Sequence, residues 1–207
     1  MTLDEIITAA KLCAASYDDS DVRFTTIDEL RVGVFPLDDR LCIVHRGTYN
    51  WKGWMFDFDF FPAEDFDGSH VHDGFLRTAI QTLHYIYDKT MKYLGMPIDI
   101  YGHSLGGSDA CETAKRLVHA GHDVRVVTFG CPPYQYAHGP DSVPIRHWRI
   151  MNRKDPVVLG PKVATFGELT HIVKPFIDVY RDGDVESIDL HAPLETAYIP
   201  RLEALKK

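Results

Sequence analysis

The 207-residue chain is notable first for what it lacks. No stretch approaches 18 consecutive apolar residues, so no transmembrane helix is expected. The formal net charge is -8, with 22 Lys and Arg against 30 Asp and Glu, and no cluster of basic residues. Such a surface repels phosphates, which excludes a nucleic-acid binder. The four cysteines, Cys13, Cys42, Cys111 and Cys131, stand far apart with no CxxC pair, and they read as free, mostly buried thiols of a reducing compartment. The opening residues MTLDEIITAAKLCAASYDDS lack the basic start and unbroken apolar core of a signal peptide. A cytoplasmic location is therefore the expectation, with leaderless export or release by lysis as alternatives. No internal repeat, low-complexity tract or linker interrupts the chain, so one domain over residues 1–207 is expected.

What is present reads as an α/β protein. Leu3, Ile6, Ile7, Ala10, Leu12 and Cys13 fall near helical spacing. Three strand-like runs follow, RFTTI, LRVGVFPL and LCIVHRG, separated by acidic turns as in antiparallel hairpins. An irregular aromatic segment comes next. Its carboxylates Asp57, Asp59, Glu64, Asp65 and Asp67 miss the spacing of a calcium loop, and a solvated loop is the reading. From Asp73 to Leu94, Phe75, Ala79, Leu83, Ile86, Tyr87 and Met91 predict a helix ending at Gly95. A strand PIDIYG, a helix from about Leu105 to Ala120, and strands DVRVVTFG and RHWRIM complete the pattern. Strand–helix–strand order with buried-looking strands indicates a mostly parallel sheet, antiparallel at its N-terminal strands, with helices on both faces. The tail predicts a closing helix interrupted or started at Pro200.

The stretch PIDIYGHSLGGSDA places Ser104 between Gly102 and Gly106. A bare G-x-S-x-G is weak, since glycine and serine are common. Here a strand precedes it and a helix follows at once, the setting a nucleophile elbow requires. That turn lifts the hydroxyl clear of its neighbours and aims the Leu105 N–H and the helix N-terminus at the place where an oxyanion develops. The competing reading is a glycine turn serving only helix–strand packing.

A serine nucleophile needs a base and a carboxylate, and α/β-hydrolases supply them in the order Ser, acid, His. His45, His70, His72 and His84 precede the serine and are discarded. His103 occupies the variable position of the elbow and is read as a packing residue. Asp155 fits the acid, because HWRIM is a strand, NRK a short exit, and Pro156 stops further regular structure. Asp123 and Asp141, in polar turns, are the alternatives. The base lies between His171, in a strand-like run, and His191, in a loop before the last helix. The loop setting favours His191.

Several stretches, in order, resemble the class 3 lipases, the fungal triacylglycerol-lipase type of α/β-hydrolase. VHRGTYNWKGWMFDF resembles their Arg-Gly-Ser/Thr segment with its later Trp-x-x-Asp, here Trp54 and Asp57. VHDGFL resembles their His-x-Gly-Phe, GHSLGG their elbow, and VVTFGCPP their Thr-Phe-Gly-x-Pro. RIMNRKDPVV is similar to the segment carrying the acid, and LTHIV to a downstream strand. The matches run from about residue 42 to 194. The resemblance implies Ser104 as nucleophile, Asp155 as acid, His191 as base, and Thr48 with Leu105 as oxyanion-hole residues. It also implies an aromatic acyl pocket or lid, to which Trp51, Phe58, Phe60 and Phe61 are assigned, and Trp54 to structure. The shorter length and the missing leader and cysteine bridges depart from the secreted fungal enzymes.

The expected activity is hydrolysis of carboxylic esters of lipids through an acyl-serine, with a lipid or acyl-ester substrate and a transient lipid interface. No metal or organic cofactor is expected. The rival readings are a phospholipase, a short-chain ester or thioester hydrolase, and a non-catalytic hydrolase-fold binding protein.

Overall fold

The computed structural model describes residues 1–28, 30–48, 61–93, 95–133, 135–137, 139–152, 155–159 and 193–206. Its centre is a six-stranded sheet of β1 (Phe24–Ile27), β2 (Leu30–Leu37), β3 (Arg40–His45), β6 (Ile98–His103), β7 (Val124–Phe129) and β9 (Arg146–Ile150), in that spatial order. β1–β2 and β2–β3 pair antiparallel, and β3–β6, β6–β7 and β7–β9 pair parallel. The expected mixed α/β sheet is therefore present.

Alternation along each strand sorts its side chains to two faces. Leu41, Ile43, Ile98, Ile100, Val124 and Val126 enter one cluster with helices α2 (Asp73–Thr90) and α3 (Leu105–His119). Cys42, Val44, Tyr101, Val127 and Phe129 enter the other, with α1 (Leu3–Ala15) and the short helices α5 (Leu194–Ala197) and α6 (Ile199–Ala204). Burial on both faces is why these strands carry near-continuous apolar runs. The strand order advances one way from β3 to β6 to β7, and right-handed crossovers then place α2 and α3 on a common face.

The helix ends follow local chemistry. Thr2 and Glu5 form a reciprocal capping box at the start of α1. The Gly74 N–H donates to Nδ1 of His72 at 3.1 Å, capping α2. α2 ends at Thr90, earlier than its spacing predicts, and passes through a 3₁₀ turn, Met91–Tyr93, to Gly95 at φ 88°. α3 ends before Gly121, whose φ of 89° lets the chain reverse while the His122 N–H closes on the Leu117 carbonyl at 3.0 Å.

Two features depart from the sequence reading. A second, three-stranded sheet joins β4 (Pro62–Glu64), β5 (His70–His72) and β8 (Gln135–Ala137). Of the carboxylates read as solvated, Glu64 is exposed, but Asp65 and Asp67 are not. Both side chains are buried against α3, where Lys115 Nζ, itself 0% exposed, lies 2.6 Å from Asp65, 3.5 Å from Asp67 and 3.4 Å from Glu112. Arg116 pairs with Asp65 and with Glu112. Burial pushes the Asp65 carboxyl up, but a hydrogen bond with Glu112, donation from Lys115 and the charges of Lys115 and Arg116 outweigh it and hold the group below its ordinary value.

Candidate active site

Three parallel strands deliver the candidate groups to one edge of the sheet. Thr48 follows β3, Ser104 follows β6, and Asp155 follows β9. This is the carboxyl edge of an open α/β sheet, where ligands of such folds bind.

Ser104 has φ 56° and ψ -128°, a backbone conformation costing a non-glycine residue about 1–3 kcal/mol. Its neighbours explain why the turn holds. A Cβ on Gly102 would lie 2.0 Å from the Gly106 carbonyl oxygen, and one on Gly106 would lie 2.4 Å from the His45 carbonyl oxygen. Only glycine at both positions lets the helix start directly above the strand end. The Ser104 N–H donates to the Phe129 carbonyl at 2.9 Å, and the Gly107 N–H to the Ser104 carbonyl at 2.9 Å. Ser104 is 2% exposed, and its Oγ has no hydrogen-bond partner among the described residues. Leu105, the first residue of α3, carries one of the N–H groups that a helix cannot satisfy internally.

Gly47 brings the β3 exit against this turn. A Cβ there would meet the His103 carbonyl oxygen and the Tyr17 hydroxyl at 2.6 Å, and Ser104 Cβ at 2.9 Å. The next residue is Thr48, whose Oγ1 is buried with no partner among the described residues. Two hydroxyls without partners among the described residues thus lie on adjoining segments, beside the start of α3.

His103 does more than pack. Its Nδ1 and the Tyr17 hydroxyl are 2.8 Å apart, and its ring meets that of Tyr198 edge-on at 6.3 Å. Tyr17 also borders an open cleft of about 620 Å³ with Ala14, Ala15, Glu195 and Ile199, so one end of this bridge meets solvent.

Asp155 is 0% exposed. Pro156 does not stop regular structure as expected but begins a short helix, α4 (Pro156–Leu159). Proline suits a first helical position because its missing N–H would be unpaired there anyway. Asp155 caps that helix, its Oδ1 accepting from the Val157 N–H at 2.9 Å, while Oδ2 accepts from the Tyr198 hydroxyl at 2.8 Å. The alternatives lack this setting: Asp123 pairs with Arg146 on the surface, and Asp141 is exposed. Two of the discarded histidines, His45 and His72, have other occupations. Nε2 of His45 lies 3.3 Å from the Thr113 hydroxyl, and burial lowers that imidazole to about 3. Burial likewise brings His72 down to about 4.

His171 and His191 lie outside the described residues, as do Trp51, Trp54, Phe58 and Phe60. Phe61 is 63% exposed just before β4. The roles of Tyr17 and Tyr198 were not legible in the sequence, since each finds its partner more than forty positions away. Among the described residues no group of three or more His, Cys, Asp or Glu could hold a metal ion. No helix among them is long and apolar enough to cross a membrane. All four cysteines are free and buried, as expected.

The family model for lipase (class 3) matches residues 42–165. The secreted mono- and diacylglycerol lipase 2 of Gibberella zeae is 28% identical over 176 residues, 66% of this chain and 43% of that protein. The chain thus spans less than half the length of this curated relative. Lipase II from Rhizopus niveus superposes with a TM-score of 0.70 at 19% identity, covering 89% of this chain and 81% of that one. A triacylglycerol lipase whose catalytic centre is formed by a serine protease triad superposes with a TM-score of 0.63 at 22% identity, covering 78% and 75%. These likenesses carry the fold. The secreted relative contradicts the cytoplasmic location expected from the opening residues, and that expectation is withdrawn.

Proposed function

The chain belongs to the class 3 lipase family, and on that premise we propose that it hydrolyses carboxylic esters of lipids through an acyl-serine intermediate. One observation carries this reading. Ser104 sits on a strained turn packed against Gly47, and its hydroxyl and that of the adjoining Thr48 are buried with no partner among the described residues. A turn serving only packing would have no reason to hold a non-glycine residue there, or to leave two buried hydroxyls unsatisfied.

In the proposed cycle Ser104 Oγ attacks the ester carbonyl while His191 takes its proton. Asp155 orients the imidazole and stabilises its charged form. The N–H groups of Thr48 and Leu105 hold the oxyanion. The imidazolium returns the proton to the departing alcohol, and water activated by the same base then frees the acid. Trp51, Phe58, Phe60 and Phe61 are assigned to an acyl pocket or flap, and exposed Phe61 and Phe66 suit a transient lipid interface. The whole site belongs to one domain over residues 1–207.

The test is hydrolysis of a chain-length series of nitrophenyl esters, an emulsified triglyceride and a phospholipid. Faster turnover of long acyl chains, with a rise in rate when substrate passes its solubility, is expected. A preference for short soluble esters without that rise would replace lipase by small-ester hydrolase, and no turnover at all would leave a binding protein. His191→Ala should abolish activity while His171→Ala retains it; the reverse would move the base to His171.

A further inference from the structure

We propose that Tyr198 is a positioning residue for the reaction, its hydroxyl fixing the carboxylate of Asp155 and setting the basicity of the imidazole that Asp155 serves. The proposal rests on Asp155 being the acid of the triad. Tyr198 stands at the junction of α5 and α6 and is 1% exposed. Its hydroxyl donates to Asp155 Oδ2 at 2.8 Å. The Val157 N–H donates to Oδ1 at 2.9 Å, so the carboxylate is held at both oxygens and its plane cannot turn.

The tyrosine is itself held from several sides. Its ring meets Phe129 edge-on at 5.9 Å and His103 at 6.3 Å. Asn152, three residues before the acid, directs its backbone N–H toward the hydroxyl at 3.4 Å and donates from Nδ2 to the Ala197 carbonyl at 3.2 Å. Those two contacts tie the acid-bearing loop to Tyr198 and to the residue preceding it. Burial and the adjacent carboxylate push the phenol well above its ordinary value, so it stays protonated and donates throughout the working pH range. His103 joins this arrangement to Tyr17 and the Gly47 segment. The two tyrosines thus connect the C-terminal helices and α1 to the base of the elbow.

The chemistry has a definite sign. A donor on Oδ2 draws charge from the carboxylate, which weakens its hold on the imidazolium and favours the ionised over the protonated acid. Without the hydroxyl the imidazolium is held more tightly and Asp155 protonates more readily. Both effects move the acid limb of the pH–rate profile upward.

Tyr198→Phe keeps the ring and its packing and removes only the donor. On a soluble nitrophenyl ester, with rates normalised to the serine titrated by a fluorophosphonate, kcat should fall about tenfold, the scale of one hydrogen bond to a charged group. KM should be unchanged, and the acid limb should rise by about half a unit. Site-specific 3-fluorotyrosine at position 198 is a stronger donor and should move the limb down. Wild-type kcat and pH profile in Tyr198→Phe, with Asp155→Asn inactive, would overturn the positioning role and leave the triad standing. Full activity in Asp155→Asn would overturn the triad reading and this inference with it. A loss in Tyr198→Phe that disappears on normalisation to titrated serine would show a purely structural residue and also overturn it.

Discussion

The two ends of helix α3 treat polar groups in opposite ways. Along its second half Glu112, Lys115 and Arg116 meet Asp65 and Asp67 in a buried ionic network, with Lys115 facing three carboxylates. At its first residue the Leu105 N–H has no intrahelical partner, and at the same turn Ser104 Oγ and Thr48 Oγ1 lie buried with no partner among the described residues. The contrast separates polarity that stabilises from polarity held ready for a ligand. Desolvated groups left unpaired cost about 1–3 kcal/mol each, so two such hydroxyls on adjoining segments at the elbow suit a place where substrate atoms supply the missing partners.

Substitutions at the two ends should accordingly fail in different ways. The largest effect is expected from Ser104→Ala, which should lower turnover roughly ten-thousand-fold or more with Tm unchanged. Ser104→Gly should be equally inactive yet melt higher, since glycine tolerates the positive φ. Next is Lys115→Met, which leaves buried Asp67 without a cation and Asp65 and Glu112 with Arg116 alone, and should cost about 3–5 kcal/mol in urea unfolding. Its kcat per titratable serine should match the wild type; a loss there would join the network to the chemistry and erase the contrast. Gly47→Ala should come third. Its methyl group meets the His103 carbonyl and Ser104 Cβ, and we expect about 1–3 kcal/mol of destabilisation and a loss of kcat exceeding it.

The smallest effect concerns Asp109, one turn into the same helix. Burial pushes its carboxyl up to about 8, with the Thr78 hydroxyl at 2.6 Å opposing and Glu112 adding to the rise. The folded state therefore retains a proton that the unfolded chain releases near its ordinary carboxyl value. The stabilisation is complete at low pH and is lost as pH rises toward 8. Tm should fall as pH rises from 5 to 8, and Asp109→Asn should reduce that slope, leaving the part that Glu112, raised by burial to about 7, contributes.

How far the sequence carried depends on the range of the interactions. The strands β3, β6 and β7 and the helices between them were legible, because apolar spacing is a local property. So was the elbow, whose glycines, serine, strand and helix are contiguous. The place of Asp155 after a strand was legible, but its capping of α4 was not. Asp65 and Asp67 were misread as solvated, since their partners Lys115 and Arg116 lie about fifty residues on. The same distance hid Tyr17 behind His103 and Tyr198 behind Asp155. The strands β4, β5 and β8 have three residues each, too few for a period of two to show. Their pairing comes from the fold around them.

The central claim is that Ser104 is an activated nucleophile, and covalent labelling tests it most directly. The chain should be treated with a fluorophosphonate and the adduct located by peptide mass spectrometry. One adduct per chain is expected, on Ser104, absent in Ser104→Ala and strongly slowed in Asp155→Asn. A folded chain that stays unlabelled, or that hydrolyses esters while labelled elsewhere, would contradict the account.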